Sequence, residues 1–269
     1  MRYQLDALII DHKQLADFEF ELTLKAPQIA KDSLPGQFVQ ILYDQSYNPF
    51  TRRPFSVYKV NPHMGTFSIV YLARGVFTQG LRNKRPGETL SIVGPLGNFF
   101  RPSTDPEAVH ILVAGGVGAP PLYFHALQMV DEGHDPESIY VINGARTRDM
   151  LVGIEEFEQL PVNTIFTTDD GSYGQKGIVT GPLLDILDQT TKPVQVYTCG
   201  PTPMLRAVGD LCNSRKVSCQ VSVETVMPCG VGVCMGCVVK IKIDPDAEPA
   251  YLRSCYEGPV FNAEQVIWE

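Results

Sequence analysis

Val113-Ala114-Gly115-Gly116-Val117-Gly118-Ala119-Pro120-Pro121 joins an apolar run, His110–Ala114, to a stretch of helical character from about Pro120 to Asp131. A glycine-rich turn between a strand and a helix is where an open α/β sheet receives phosphates. Glycine lets the backbone approach the ligand, and the helix N-terminus favours an anion. The turn is not G-x-G-x-x-G. No acidic residue follows about 20 positions on, because the next run ends in Asn143-Gly144-Ala145-Arg146. The stretch therefore predicts a nucleotide-binding α/β sheet without the simple dinucleotide fingerprint. Tight packing of strand on helix is the competing explanation for Gly115, Gly116 and Gly118.

Downstream, Ser138–Asn143, Thr164–Thr168 and Val194–Cys199 read as further strands, with helical stretches at about 180–188 and 201–213. This βαβα order predicts a doubly wound parallel sheet with helices on both faces. Two more loops then fall at C-terminal strand ends, the edge where such sheets bind ligands. They are Thr168-Asp169-Asp170-Gly171-Ser172 and Cys199-Gly200-Pro201. Asp169 either binds ribose hydroxyls or caps a turn. Cys199 offers a small, soft side chain beside the site. Arg146 and Arg148 can accept a 2′-phosphate, which leaves NADH and NADPH both open.

Upstream of 102–108, a Pro-rich linker, the first hundred residues read as β. Phe18, Phe20, Leu22 and Leu24 alternate with polar partners, and similar short runs appear at 36–43, 55–60, 66–73 and 88–93. Pro35-Gly36, Asn48-Pro49, Asn61-Pro62 and Pro86-Gly87 punctuate them. Short strands at this spacing predict a small antiparallel barrel or sandwich. Within it, Arg52-Arg53-Pro54-Phe55-Ser56 sets a guanidinium near a hydroxyl, a pair that can hold a pyrophosphate. A surface arginine beside a turn would look the same. Tyr71 and the loop Gly75–Thr78 are candidates to cover a ring and its phosphates.

The C-terminal fifty residues carry the most specific signal. Cys229, Cys234 and Cys237 form C-x4-C-x2-C, and Cys255 follows. This is the plant-type spacing for a 2Fe-2S cluster, and Gly230, Gly232 and Gly236 let the loop wind tightly around sulfur. Zinc is the competing reading, but structural zinc sites more often pair two short cysteine knuckles, and the second is missing here. The remaining cysteines are scattered, and Cys212 and Cys219 read as buried, inert thiols.

Composition narrows the classes. The chain has 269 residues, 44% of them apolar and 19% charged, with a formal net charge of -8. That allows about two domains with proper cores and argues against nucleic acid and anionic membrane surfaces as partners. No apolar run approaches the roughly 20 residues that span a bilayer. The opening residues do not read as a signal peptide, so a cytoplasmic location is expected. Seven cysteines, an odd number, make a disulfide framework improbable.

Taken in order along the chain, R-P-F-S, G-G-V-G-A-P-P, C-G-P and the terminal cysteines resemble the ferredoxin–NADP⁺ reductase superfamily. Placing the cluster after the nucleotide domain is similar to the electron-transfer subunits of type B dihydroorotate dehydrogenase. The run from Ser222 through Cys237 looks like that family's cluster loop, and Glu257–Asn262 like its ending.

The resemblance implies an α+β multidomain chain. Residues 1–102 would be an FAD-binding antiparallel β-barrel, 103–218 a doubly wound NAD-binding α/β domain, and 219–269 a 2Fe-2S module. It implies FAD at Arg53, Pro54, Phe55, Ser56, Val70, Tyr71, Leu72, Gly75 and Thr78. It places NAD(H) at Gly115, Gly116, Gly118, Asp169, Cys199, Gly200 and Pro201, and the cluster on Cys229, Cys234, Cys237 and Cys255. It also implies an FMN-containing catalytic subunit in a heterotetramer that oxidises dihydroorotate in pyrimidine biosynthesis. No side chain is expected to act as nucleophile or obligatory acid–base group. Two departures stand out. The flavin loop usually reads G-x-G-T, but here it is Gly75-Val76-Phe77-Thr78. Val238-Val239-Lys240 follows the cluster loop where the family often carries another cysteine. Electron subunits of a hydrogenase, a bifurcating transhydrogenase or a ferredoxin reductase fit the same motifs. A redox-sensing regulator fits them less well, because the nicotinamide edge is complete.

Overall fold

The computed structural model describes residues 1–42, 50–244 and 246–268. The expected Asn48-Pro49 turn and the last residue of the 36–43 run lie outside them. In chain order the elements are β1 (Tyr3–Gln14), β2 (Glu19–Lys25), α1 (Pro27–Asp32), β3 (Phe38–Leu42), β4 (Arg53–Ser56), β5 (Lys59–Asn61), β6 (Thr66–Leu72), α2 (Val76–Leu81) and β7 (Thr89–Leu96). Next come β8 (Val109–Gly115), α3 (Ala119–Asp131), β9 (Ile139–Ala145), α4 (Ile154–Gln159), β10 (Asn163–Thr168), β11 (Gln175–Lys176), α5 (Thr180–Gln189), β12 (Val194–Cys199) and α6 (Thr202–Arg215). The chain ends with β13 (Ser218–Ser222), β14 (Val238–Ile241), β15 (Ala250–Arg253) and β16 (Val260–Asn262).

Seven antiparallel strands form the first sheet, in the order β4-β3-β7-β1-β2-β6-β5. It is a half-barrel whose two edge strands are consecutive in the chain. The bend between them, Val57-Tyr58, donates its N–H groups to Gln37 O at 3.0 Å and Ser68 O at 2.9 Å. The expected 55–60 run is thus two strands either side of this bend. Inside the curve lie Ala7, Ile9, Leu22, Leu24, Val39, Ile41, Phe67 and Ile69. β1 carries no clean alternation in sequence. Leu8 and Ile10 stay exposed between the inward Ala7 and Ile9, so apolar side chains point both ways and the period of two is hidden.

The second sheet has the order β11-β10-β9-β8-β12-β13-β16, parallel except for β16. Its central strands are apolar on both faces because helices cover both. α3 and α4 supply Leu122, Tyr123 and Phe157 to one side, and α5 and α6 supply Leu183, Leu205 and Val208 to the other. β13 and β16 lie in the terminal stretch yet pair with this sheet. The half-barrel and the α/β unit meet at Tyr58, Val70, Phe100 and Tyr123. There Lys59 Nζ lies 3.6 Å from Glu21 and 3.7 Å from Glu156.

Candidate functional site

β8 is the first strand of the α/β unit. The chain adds β9 and β10 on one side of it, then crosses to place β12 on the other. The reversal puts the Gly115–Gly118 turn and the Cys199–Pro201 turn side by side at the C-terminal edge, where doubly wound sheets bind ligands. Their fit is close: a Cβ on Gly118 would stand 2.1 Å from the Cys199 carbonyl oxygen. Packing therefore requires glycine at 118, whereas Gly116 faces open space at φ +52. Tight packing thus accounts for Gly118, while Gly116 leaves its side of the turn open to a ligand.

Cys199 is packed with its side chain toward Ser222, and burial pushes its thiol up to about 12, so it stays protonated. Glu224, just past β13, acts on the same thiol. On β10's far end, Asp170 caps its own loop, accepting from Ser172 N at 2.9 Å and Ser172 Oγ at 2.6 Å. Asp169 is exposed beside it.

The flavin candidates lie on β4, β6 and the start of α2. β4 is an edge strand, paired with β3 in the register Phe38↔Ser56, Val39↔Phe55, Gln40↔Pro54 and Ile41↔Arg53. The pleat turns Phe55 inward with Val39, onto Tyr71 (ring centroids 6.0 Å) and Phe77 (5.9 Å). Pro54 and Ser56 face outward. Arg53 donates to Thr51 O at 2.9 Å and makes no ion pair among the described residues, which leaves its charge for an anion. Thr78 Oγ1 accepts from Gly75 N at 3.0 Å and Arg74 N at 3.1 Å, fixing the loop.

One expectation needs correcting. The Tyr71 ring does not cover a ligand: it is buried in the half-barrel, stacked on Phe20 at 5.6 Å, with its hydroxyl 2.8 Å from His12 Nε2. Phe77 is equally at home inward, so the missing second glycine reflects a side chain that seals the barrel end.

The cluster loop lies against the outer face of β3 and β7. Phe38 and Leu96 pack on Met227, Cys237 and Cys255 in one apolar group. The four cysteines approach in pairs. Cys237 and Cys255 have sulfurs 3.2 Å apart, and Cys229 and Cys234 interact side chain to side chain. Among the described residues no three His, Cys, Asp or Glu side chains are gathered closely enough to hold a metal ion as they stand. Two pairs suit a binuclear cluster with two thiolates per iron better than a single zinc ion.

Loop amides face sulfur. Gly236 N lies 3.4 Å from Cys234 Sγ. At Cys229 desolvation pulls the pKa upward, but N–H groups of Cys234, Val231 and Val233 outweigh it and bring the thiol down to about 6. Arg253 clamps the loop from β15, donating to Gly232 O at 2.6 Å and pairing with Glu257. Neither Arg253 nor the β3 residues Phe38 and Gln40 carries a sequence signal for this role, because their contact with the loop exists only after folding.

Two family models match the chain. Residues 224–267 match the iron–sulfur cluster binding domain of dihydroorotate dehydrogenase B, and residues 112–210 match the oxidoreductase NAD-binding domain. The chain is 35% identical over 271 residues to the dihydroorotate dehydrogenase B (NAD(+)) electron transfer subunit of a Geobacillus species, covering 99% of this chain and 100% of the relative. It is 36% identical over 261 residues to the subunit of that description from Geobacillus thermodenitrificans, covering 96% of each. Among solved structures, the NADH-dependent reduced ferredoxin–NADP oxidoreductase, studied for flavin-based electron bifurcation, matches with TM-score 0.84 and 31% identity, over 97% of this chain and 90% of that one. The ferredoxin reductase of carbazole 1,9a-dioxygenase shares the fold at TM-score 0.67 and 24% identity, over 80% of this chain and 67% of that one.

Proposed function

Since this chain belongs to the family of dihydroorotate dehydrogenase B electron transfer subunits, we propose that it moves electrons between NAD(H), FAD and a 2Fe-2S cluster, to or from an FMN-containing catalytic subunit. One observation carries the proposal. Ser56 on the flavin strand stands opposite Phe38, and Phe38 packs on Cys237 and Cys255. The strand proposed for the flavin and the loop proposed for the cluster are thus neighbours across one strand pair, which supports this reading.

When bound, the flavin accepts two electrons as hydride and releases them singly to a one-electron cluster. The chain's own residues position and insulate. Arg53 supplies a cation for the pyrophosphate, Ser56 a hydroxyl on the outward face of β4, and Thr78 a fixed loop around Gly75. The paired turns at Gly115–Gly118 and Cys199–Pro201 set the nicotinamide edge, with the Cys199 thiol neutral and Asp169 within the adjacent loop. Cys229, Cys234, Cys237 and Cys255 would hold the irons, two cysteines to each.

The units 1–102, 103–218 and 219–269, the last of which lends β13 and β16 to the α/β sheet, assembly with the partner as a heterotetramer, and a cytoplasmic location belong to this proposal. No helix among the described residues is long and apolar enough to cross a membrane.

Anaerobic co-purification with native partners, with visible spectra before and after NADH, tests the reading. Bleaching of flavin and cluster, with an FMN-containing dihydroorotate oxidase in the complex, is the expected result. Bleaching with another partner would move the chain toward the bifurcating reductases, a second reading that the 31% identity to one such structure favours. Absence of both flavin and iron would refute the proposal.

A further inference from the structure

Gln40 lies in the middle of β3 with 0% exposure. Its neighbours Val39 and Ile41 fill the half-barrel, so the pleat turns Gln40 outward, on the face it shares with Phe38. Across one strand pair it stands opposite Pro54 of the flavin strand. Its Nε2 donates to the Met227 carbonyl at 2.8 Å, two residues before Cys229. The same side chain presses on the loop just after Cys229, where a Cβ on Gly230 would come within 2.4 Å of Gln40 Cγ. Its Oε1 is buried and has no hydrogen-bond partner among the described residues.

A buried carboxamide oxygen without a donor carries a desolvation cost that an apolar side chain of similar size avoids. Packing alone does not account for glutamine here. What the amide adds is a donor that pins the entry of the cluster loop, and a carbonyl dipole held in a dry space beside the first cluster cysteine. We propose that Gln40 is a positioning residue for electron passage between flavin and cluster, tying the loop to the flavin sheet and setting how readily the cluster accepts an electron. The inference rests on the function proposed above. In the step concerned, one electron leaves the reduced flavin and enters the oxidised cluster. No bond forms or breaks at Gln40, and no proton is required of it.

Hydrogen bonds and dipoles around a cluster tune its potential. Gln40→Met removes both the amide dipole and the tie to Met227 O, so the balance between oxidised and reduced cluster should shift. The expected change is about tenfold in the reduced-to-oxidised ratio at fixed poise, equal to about 59 mV for one electron. The reduced-cluster EPR signal should broaden as the loop entry loosens. Gln40→Glu is the rescue. A buried carboxyl is held protonated and can donate to Met227 O, so it should restore the sharp signal near neutral pH and lose it as pH rises, a dependence the wild type lacks.

The test uses the full chain in its complex, with flavin and iron quantified first, followed by redox-poised EPR. Wild type without iron would overturn the functional reading and this inference together. Wild type with iron, but Gln40→Met within about twofold of its ratio and with the same line shape, would overturn this inference alone. Should Gln40→Met lose the cluster, Gln40→Glu decides: a pH-independent signal and potential refute the assignment.

Discussion

Replacing His125 with leucine should flatten the acid side of the stability profile. His125 is fully buried on α3, with Phe100 at 5.3 Å and Tyr197 at 4.5 Å between ring centroids, and its Nε2 has no partner. Burial first, then the neighbouring His110 and His134, push its pKa down to about 3. His110, 3.0 Å from the Tyr197 hydroxyl, is pushed down to about 4 by burial and then by His134. An unfolded histidine titrates near 6.5. Below that pH the unfolded chain binds protons that the folded chain refuses. Stability is therefore complete above pH 6.5 and is lost as pH falls toward the folded values. From pH 6.5 to 4.5, His125 alone accounts for roughly 2 kcal/mol, since the slope approaches about 1.4 kcal/mol per unit only below the unfolded pKa. In a chain of this size that is a fall in Tm of about 4–8 °C. Leucine does not titrate, so His125→Leu should remove about half of the acid loss due to the pair. The assay is thermal unfolding by circular dichroism at pH 7.5, 6.5, 5.5 and 4.5, comparing slopes, which cancels any constant packing penalty. An unchanged slope would show that His125 does not resist protonation in the folded state, and the burial argument would fail.

Three further outcomes are expected. Burial, reinforced by Glu156, raises Glu19 to about 7, so its ionisation opposes folding increasingly as pH climbs above the unfolded value. Glu19→Gln should therefore gain roughly 3.5 kcal/mol at pH 8 and almost nothing at pH 4 in urea titrations. Gly118→Ala drives a methyl into the Cys199 carbonyl. It should slow flavin reduction by NADH in stopped flow while flavin and iron contents stay at wild-type levels. Cys234→Ser should abolish the cluster's visible and EPR signals yet retain FAD. A variant that lost flavin but kept iron would contradict the assignment of the two sites.

The order of strands and helices after residue 109 was legible because short apolar stretches, fully buried along β8 and reduced to Ile165 and Phe166 in β10, alternate with helical periods. The four cluster cysteines were legible because their ligand chemistry imposes spacing within one short loop. β1 was hidden by apolar residues on both of its faces, and α4 is too short to establish a period. β13 and β16 were read with the cysteine module, since only tertiary pairing assigns a strand to a sheet. Tyr71 was misplaced for a related reason: an aromatic on a strand has two faces to choose from, and burial against Phe20 and His12 made the choice.

By itself, the sequence determined which chemistries the chain carries: a phosphate-receiving turn, an arginine–hydroxyl strand and a four-cysteine loop, each set by local spacing. Only the tertiary structure decided how they are joined. Topology laid the Cys199 turn against Gly118, and the barrel's outer face received the cluster loop on Phe38 and Gln40. Local spacing records what a segment can bind. Distances between segments come from the packing of sheets whose strands are far apart in the chain, as with Gln40 and Met227, 187 positions apart and joined by one hydrogen bond.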